Sequence, residues 1–254
     1  GVFESRSMRP RFVGRLGPAD FVTVANALLG FLAVFVAPVA PRLAARFILL
    51  AAIADGLDGV VARHVRSTPV GEHLDSLSDV VSFGVAPGLV VSAHAVEAWN
   101  LPETTLAPRL ALAVVVPALF VGMVVVRLGL YTAYDTGNHH TTGAPSTLAA
   151  TVVAAIALAV HGEVAGVGVA ALLLGAAALL TYLMVAPITY PDLLARDAFI
   201  MGTIQTLAVL VPDAAGRTFP YALLTLAIAY LVLGPRFYWR PLPEGSRGGG
   251  EGKR

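Results

Sequence analysis

The chain has 254 residues, 57% of them hydrophobic and only 13% charged, with a mean hydropathy of +0.77. A soluble domain carries about 25% charged residues, so the composition excludes an ordinary soluble fold and points to a polytopic membrane protein. The formal charge of +1 gives no reason to expect a nucleic-acid partner, and the lack of cysteine excludes disulfides and thiolate metal sites.

Residues 1–7 precede Met8 and are set aside from the fold reading. The basic start RPRFVGRLG before an apolar run has the form of a signal peptide, but Thr23 and Asn26 inside the run favour a bundle helix. A membrane span takes roughly 20 apolar residues. On that rule about eight spans follow, near 20–38, 43–63, 72–94, 108–133, 146–161, 165–187, 196–212 and 218–234. The fifth and seventh are short. Between them stand turn-forming stretches such as APVAPR, STPVG, NLPE, DTGNHHTTGAPS, APITYPD and VPDAAGR. The expected fold is all-α, a polytopic transmembrane helix bundle. The expected division is an N-terminal cytoplasmic segment 1–19, a membrane domain 20–234, and a polar, disordered cytoplasmic tail 235–254.

Orientation follows the arginines. Arg9, Arg11 and Arg15 precede the first span, Arg63 and Arg66 follow the second, and Arg236, Arg240 and Arg247 follow the last. An even number of spans puts all three groups on the cytoplasmic side. Arg42 and Arg46 then fall on the opposite side, against the rule. Phe237, Tyr238 and Trp239 stand where an interfacial anchor belongs.

Between the second and third spans lies ADGLDGVVARHVRSTPVGEHLDSLSD, residues 54–79, with four aspartates in a greasy setting. A helix advances about 100° per residue. Asp55 and Asp58 therefore share a face with Gly59 and Ala62, and Asp75 and Asp79 share one with Gly71, Ser78 and Ser82. The short link containing Pro69 predicts an antiparallel helix pair whose acidic faces meet. Like charges and desolvation both disfavour four ionised carboxylates, and Arg63 and Arg66 offset at most two. Two divalent ions would offset all four, and oxygen-only ligands suit Mg²⁺ or Mn²⁺. Two such ions about 3.5–4 Å apart form a site for in-line displacement at phosphorus. Gly59, Ala62 and Gly71 would let a phosphate ligand approach closely. One intramembrane aspartate reads equally as a capping or pairing residue. Four on two matched faces read as functional.

The run D55-x-x-D58-G59-x-x-A62-R63, followed by G71-x-x-x-D75-x-x-x-D79, resembles the signature of the CDP-alcohol phosphotransferases. Seven residues separate Arg63 from Gly71, where the usual pattern has eight. TVANALLGF, LDSLSDVVSFGVAP, TGAPSTLAA and LMVAPITYPDL are similar to stretches of the phosphatidylserine synthase branch of that family; RLGLYTAY, at 127–134, departs from its more usual form. The resemblance implies a six-helix catalytic core, two bound cations held by Asp55, Asp58, Asp75 and Asp79, and a CDP-linked lipid with diacylglycerol or archaeol chains. It implies L-serine as acceptor, CMP as leaving group, Asp79 as general base and a homodimer. It places Thr23, Asn26, Gly59, Ala62, Arg63 and Gly71 around the CDP-lipid.

Several residues carry a second reading. Thr23 and Asn26 also suit polar helix packing. Arg63 also suits snorkelling to headgroups. Arg127, deep in VGMVVVRLGLY, needs an anionic partner, which is the acceptor's carboxylate, a phosphate or a structural ion pair. His73, His94, His139 and His140 read as solvated loop residues rather than ligands. Two functional alternatives stand beside serine transfer. One is the same chemistry on glycerol phosphate or inositol phosphate. The other is an ion-coupled transporter, although transporter sites favour the bilayer midplane and these aspartates gather at one membrane face.

Overall fold

The computed structural model describes residues 16–64, 68, 70–100, 108–135, 140–160, 167–191 and 193–238. Each expected span coincides with a helical rod. They are α1 (Pro18–Val36), α2 (Pro41–His64), a composite third rod, α5 (Pro108–Leu130), α6 (Ser146–Ala159), α7 (Val167–Val185), α8 (Ala195–Leu210) and α9 (Thr218–Phe237). The third rod joins α3 (Gly71–Asp79) through a π-helical turn (Val80–Val85) to α4 (Ala86–Trp99), and a second π-helical turn (Tyr131–Asp135) ends α5. The fold is the expected all-α polytopic bundle. Among the described residues, five stretches are each long and apolar enough to cross a membrane, at 18–36, 71–99, 108–134, 168–185 and 214–237. The chain is an integral membrane protein.

The shortness of α6 has a packing cause. Every residue of it except Thr147 is buried or nearly so, and it packs against α2, α7 and α9. A helix apolar all round belongs inside a bundle, and its alanines let neighbouring backbones come close. The π-helical turn also has a local cause. Pro87 has no N–H, and the amide of Ala86 reaches five residues back to the carbonyl of Val81. The wide turn begins directly after Asp79.

His94, expected in a solvated loop, is instead buried on α4 with its Nδ1 2.8 Å from the carbonyl of Val90, because its face of the helix packs inward. Among the described residues, two strands depart from the purely helical expectation. β1 (His140–Thr142) pairs antiparallel with β2 (Thr189–Pro191), joining two stretches that read as turns. Gly143 follows β1 with φ +84°, and a Cβ there would stand 2.0 Å from the carbonyl oxygen of Met184. Only glycine fits such a bend. The strand pair is fastened to α9, where Tyr190 donates to the carbonyl of Leu231 at 3.3 Å and Tyr230 donates to that of Pro191. It thereby holds the ends of α5, α7 and α9 together.

Arg42 and Arg46 sit at the other end of the bundle, as the span count required. Arg42 pairs with Asp213 at 2.5 Å, and Nε of Arg46 donates to the carbonyl of Val209 at 2.7 Å. Arg217 lies 3.6 Å from the same aspartate. These cations fasten α2 to the α8–α9 connection, which explains their place against the charge rule. Arg9, Arg11, Arg15, Arg66, Pro69, His139, Trp239, Arg240 and Arg247 lie outside the described residues.

Candidate active site

The acidic residues of α2 and α3 converge. Asp55, Asp75 and Asp79 each direct a carboxylate oxygen to one place, with these atoms within 4.8 Å of one another. Asp79 is buried and the other two are partly buried. Asp58, Gly59, Ala62 and Arg63 stand on α2, but their side chains lie outside the described residues.

The first helix holds α3 in register. Ser78 Oγ donates to the carbonyl of Thr23 at 3.0 Å, and Ser82 Oγ donates to that of Asn26 at 2.9 Å. The approach is close enough that a Cβ on Gly30 would stand 2.4 Å from Ser82 Oγ and 2.9 Å from its Cα. Within this contact Asn26 Nδ2 donates to Asp79 Oδ1 at 3.3 Å. The other amide atom, Asn26 Oδ1, is buried and has no hydrogen-bond partner among the described residues. The Thr23 hydroxyl turns back to the carbonyl of Ala19 at 3.3 Å. The backbone carbonyls of both residues thus take part in helix packing, and the Asn26 amide also touches the carboxylate cluster.

Two supporting residues escaped the sequence reading. Asp20, at the third position of α1, accepts the amide of Gly17 at 2.7 Å and the hydroxyl of Thr68 at 2.8 Å. Thr68 in turn accepts the amide of Gly71 at 3.1 Å, so the turn between α2 and α3 is tied to the start of α1. A Cβ on Gly71 would stand 3.0 Å from Asp20 Oδ1, so a side chain there would press on the clamp. The signal available was an acidic residue in the first turn of a helix, which commonly caps it. The other is Thr147, in the first turn of α6, whose hydroxyl donates to Asp55 Oδ2 at 3.3 Å. Nothing local in the sequence links it to Asp55.

Arg127 is buried at the end of α5. Its Nε donates to the carbonyl of Ala144 at 2.8 Å and its Nη2 to Thr141 Oγ1 at 3.3 Å, and the guanidinium lies 5.6 Å from the centre of the Tyr131 ring. It braces the segment joining β1 to α6. Nearby, Ser76 and Thr132 share a hydrogen bond at 3.1 Å, linking α3 to the second π-helical turn.

Converging carboxylates form an oxygen-only donor set. Such a set fits a hard divalent cation better than a soft metal. Asn26 Oδ1 beside it, unmatched among the described residues, adds a further acceptor.

A family model for the CDP-alcohol phosphatidyltransferases matches residues 17–185. The chain belongs to that family. The match takes in α1 to α7 and every site residue named above, while α8 and α9 lie beyond it. Among curated proteins, this CDP-alcohol phosphatidyltransferase is similar to an archaetidylserine synthase of Methanothermobacter thermautotrophicus, with 31% identity over 143 residues, 55% of this chain and 57% of the relative. It is 43% identical over 84 residues to a CDP-diacylglycerol–serine O-phosphatidyltransferase of Saccharomyces cerevisiae, covering 30% of each chain. A protein of the same name from Methanocaldococcus jannaschii is 42% identical over 74 residues, 29% of this chain and 34% of the relative. The chain thus aligns with little more than half the length of the first of these relatives and about a third of the other two.

Proposed function

We propose that this protein transfers a phosphatidyl-type group from a CDP-linked lipid to the hydroxyl of L-serine and releases CMP. The observation that carries the reading is the convergence of Asp55, Asp75 and Asp79 at one end of an apolar bundle. The names of the similar proteins supply serine and the CDP-lipid as the substrates to test.

In this reading Asp55, Asp75 and Asp79, with Asp58 one turn along α2, hold two divalent cations, Mg²⁺ or Mn²⁺. When bound, the cations offset the charge of the pyrophosphate and of the departing CMP. The chain's own residues do the rest. Thr147 and Asn26 fix the carboxylates of Asp55 and Asp79 by hydrogen bonds. Asp79 accepts the proton of the serine hydroxyl, a poor nucleophile without a base in hydrogen-bond reach. The serine oxygen forms its bond to the lipid-side phosphorus as the bond from that phosphorus to the CMP oxygen breaks. The electron pair of that bond leaves with CMP. Arg127 contributes positive charge on the α5 side, with its position set by Ala144 and Thr141. Thr23, Asn26, Gly59, Ala62, Arg63 and Gly71 border the CDP-lipid. The arginines at 9, 11, 15, 63 and 66 in the sequence support a cytoplasmic orientation for this end of the bundle.

The test is CMP release by the purified protein from CDP-lipid with Mn²⁺, comparing L-serine, glycerol 3-phosphate and inositol phosphate. Serine-dependent release that Asp79→Asn abolishes supports the reading. Release with another alcohol moves the protein to a sibling activity on the same chemistry. An absence of release with every alcohol, combined with ion-gradient-driven uptake in vesicles, would replace the enzyme with a transporter.

A further inference from the structure

A groove of about 530 Å³ opens beside the carboxylate cluster, between α2, α6 and α8. Gly56 and Leu57 of its lining directly follow Asp55, and Thr147 both lines it and donates to Asp55. It is therefore continuous with the place where the reactive phosphates are proposed to sit. From Ala198 to Thr206 on α8 it runs about 12 Å along the helix axis, at about 1.5 Å per residue, away from the site and toward the other end of the bundle.

The chemistry of this groove is apolar despite its polar residues. Thr151, Thr203 and Thr206 spend their hydroxyls on carbonyls four residues back, those of Thr147, Phe199 and Gly202. Gln205 commits its amide nitrogen to the carbonyl of Leu49 at 2.8 Å. The threonines therefore present methyl groups alongside Ile53, Leu148 and Met201. A groove of this kind takes hydrocarbon. The proposed substrate is the one ligand that brings hydrocarbon to this phosphate site, because its chains must leave the pyrophosphate toward the bilayer interior.

We propose that one chain of the CDP-lipid lies in this groove and that α8, outside the family-matched core, selects for chain length and bulk through Gly202. The inference rests on the function proposed above. Gly202 sits part-way along the groove on the α8 wall, and a Cβ built there meets no atom within 4 Å. The first atom of a side chain at this position therefore meets open space. In Gly202→Phe the added ring stands on the groove's α8 wall and shortens the groove.

The test uses the full-length protein in detergent and measures binding of short-chain and long-chain CDP-lipids, with CMP release as a second readout. In Gly202→Phe, affinity for the long-chain form relative to the short-chain form falls about tenfold, the equivalent of a few displaced methylenes. Gly175→Phe, at an exposed glycine of α7 whose Cβ likewise meets nothing, leaves the ratio unchanged. Thermal unfolding of both variants verifies that they are folded. A folded Gly202→Phe protein with an unaltered ratio, or with equal loss for both lipids, overturns the proposal. Failure of the parent chain to transfer to any alcohol counts against the functional reading alone, since the binding comparison still decides the groove.

Discussion

Asn26 on α1 donates to the carboxylate of Asp79 on α3 across 3.3 Å, and the same asparagine accepts Ser82 Oγ through its backbone carbonyl. One residue of the first span thus fixes both the position of α3 and the orientation of the carboxylate proposed as the base. Two variants separate these roles. Asp79→Asn lowers CMP release by about a thousandfold, in the range of losing a general base. Asn26→Ala keeps the backbone contact and loses the amide, and lowers turnover by about tenfold. Steady-state CMP release at saturating Mn²⁺ measures both. Equal, small effects would remove Asp79 from the chemistry.

Thr147 supports Asp55 from α6. Outer partners of metal-binding groups typically affect metal affinity by about tenfold to a hundredfold. Thr147→Val raises the Mn²⁺ concentration needed for half-maximal activity by about that factor, with turnover at saturating metal nearly restored. Chelation with EDTA abolishes activity in both proteins, and adding Mn²⁺ back recovers it. A loss in Thr147→Val that no metal concentration repairs would contradict the role.

Gly143 is the point where the chain leaves β1 and turns toward α6. A Cβ there would overlap the Met184 carbonyl, and φ of +84° is unfavourable for any side chain. Gly143→Ala costs about 1–3 kcal/mol or more of stability and shifts Ala144, the residue that receives Arg127. Lower thermal stability together with weakened activity is the expected outcome. Wild-type stability would mean that the segment relaxes freely.

Gly30 governs the distance between α1 and the π-helical turn. Gly30→Val forces its side chain against the Ser82 backbone and separates Asn26 from Asp79. Overpacking of this kind costs about 1–3 kcal/mol. The loss of activity exceeds that in Asn26→Ala, because the helix moves along with the amide. Parallel turnover and thermal-unfolding measurements decide it.

Asp213, between α8 and α9, is held below its ordinary carboxylate value, first by the hydrogen bond from Arg42 and then by the charges of Arg42 and Arg217. A depressed folded pKa adds stability that is fully present above the unfolded value, near 3.8, and is lost as pH falls through the folded one. Asp213 is 61% exposed, so solvent screens the pair and the effect is small. Thermal unfolding followed from neutral pH to below pH 4 shows a slightly steeper acid loss for the parent than for Asp213→Asn. Identical acid profiles would make the pair energetically neutral.

The legible parts of this protein were those written in local spacing. Asp55 with Asp58, and Asp75 with Asp79, announce their shared faces because helical geometry repeats every few residues, and the long apolar runs announce the rods for the same reason. The sequence by itself therefore determined the class, the positions of the helices and the acidic cluster. Tertiary structure decided what no local period encodes. Thr147 reaches Asp55 from 92 residues away, Asn26 reaches Asp79 across 53, and β1 finds β2 only because α7 returns to the same end of the bundle. The side on which Arg42 and Arg46 lie made sense only once Asp213 and Val209 stood beside them. Helix rotation and close approach, set by the π-helical turn after Asp79 and by glycines such as Gly30, fix those partners, and both depend on the whole packed bundle.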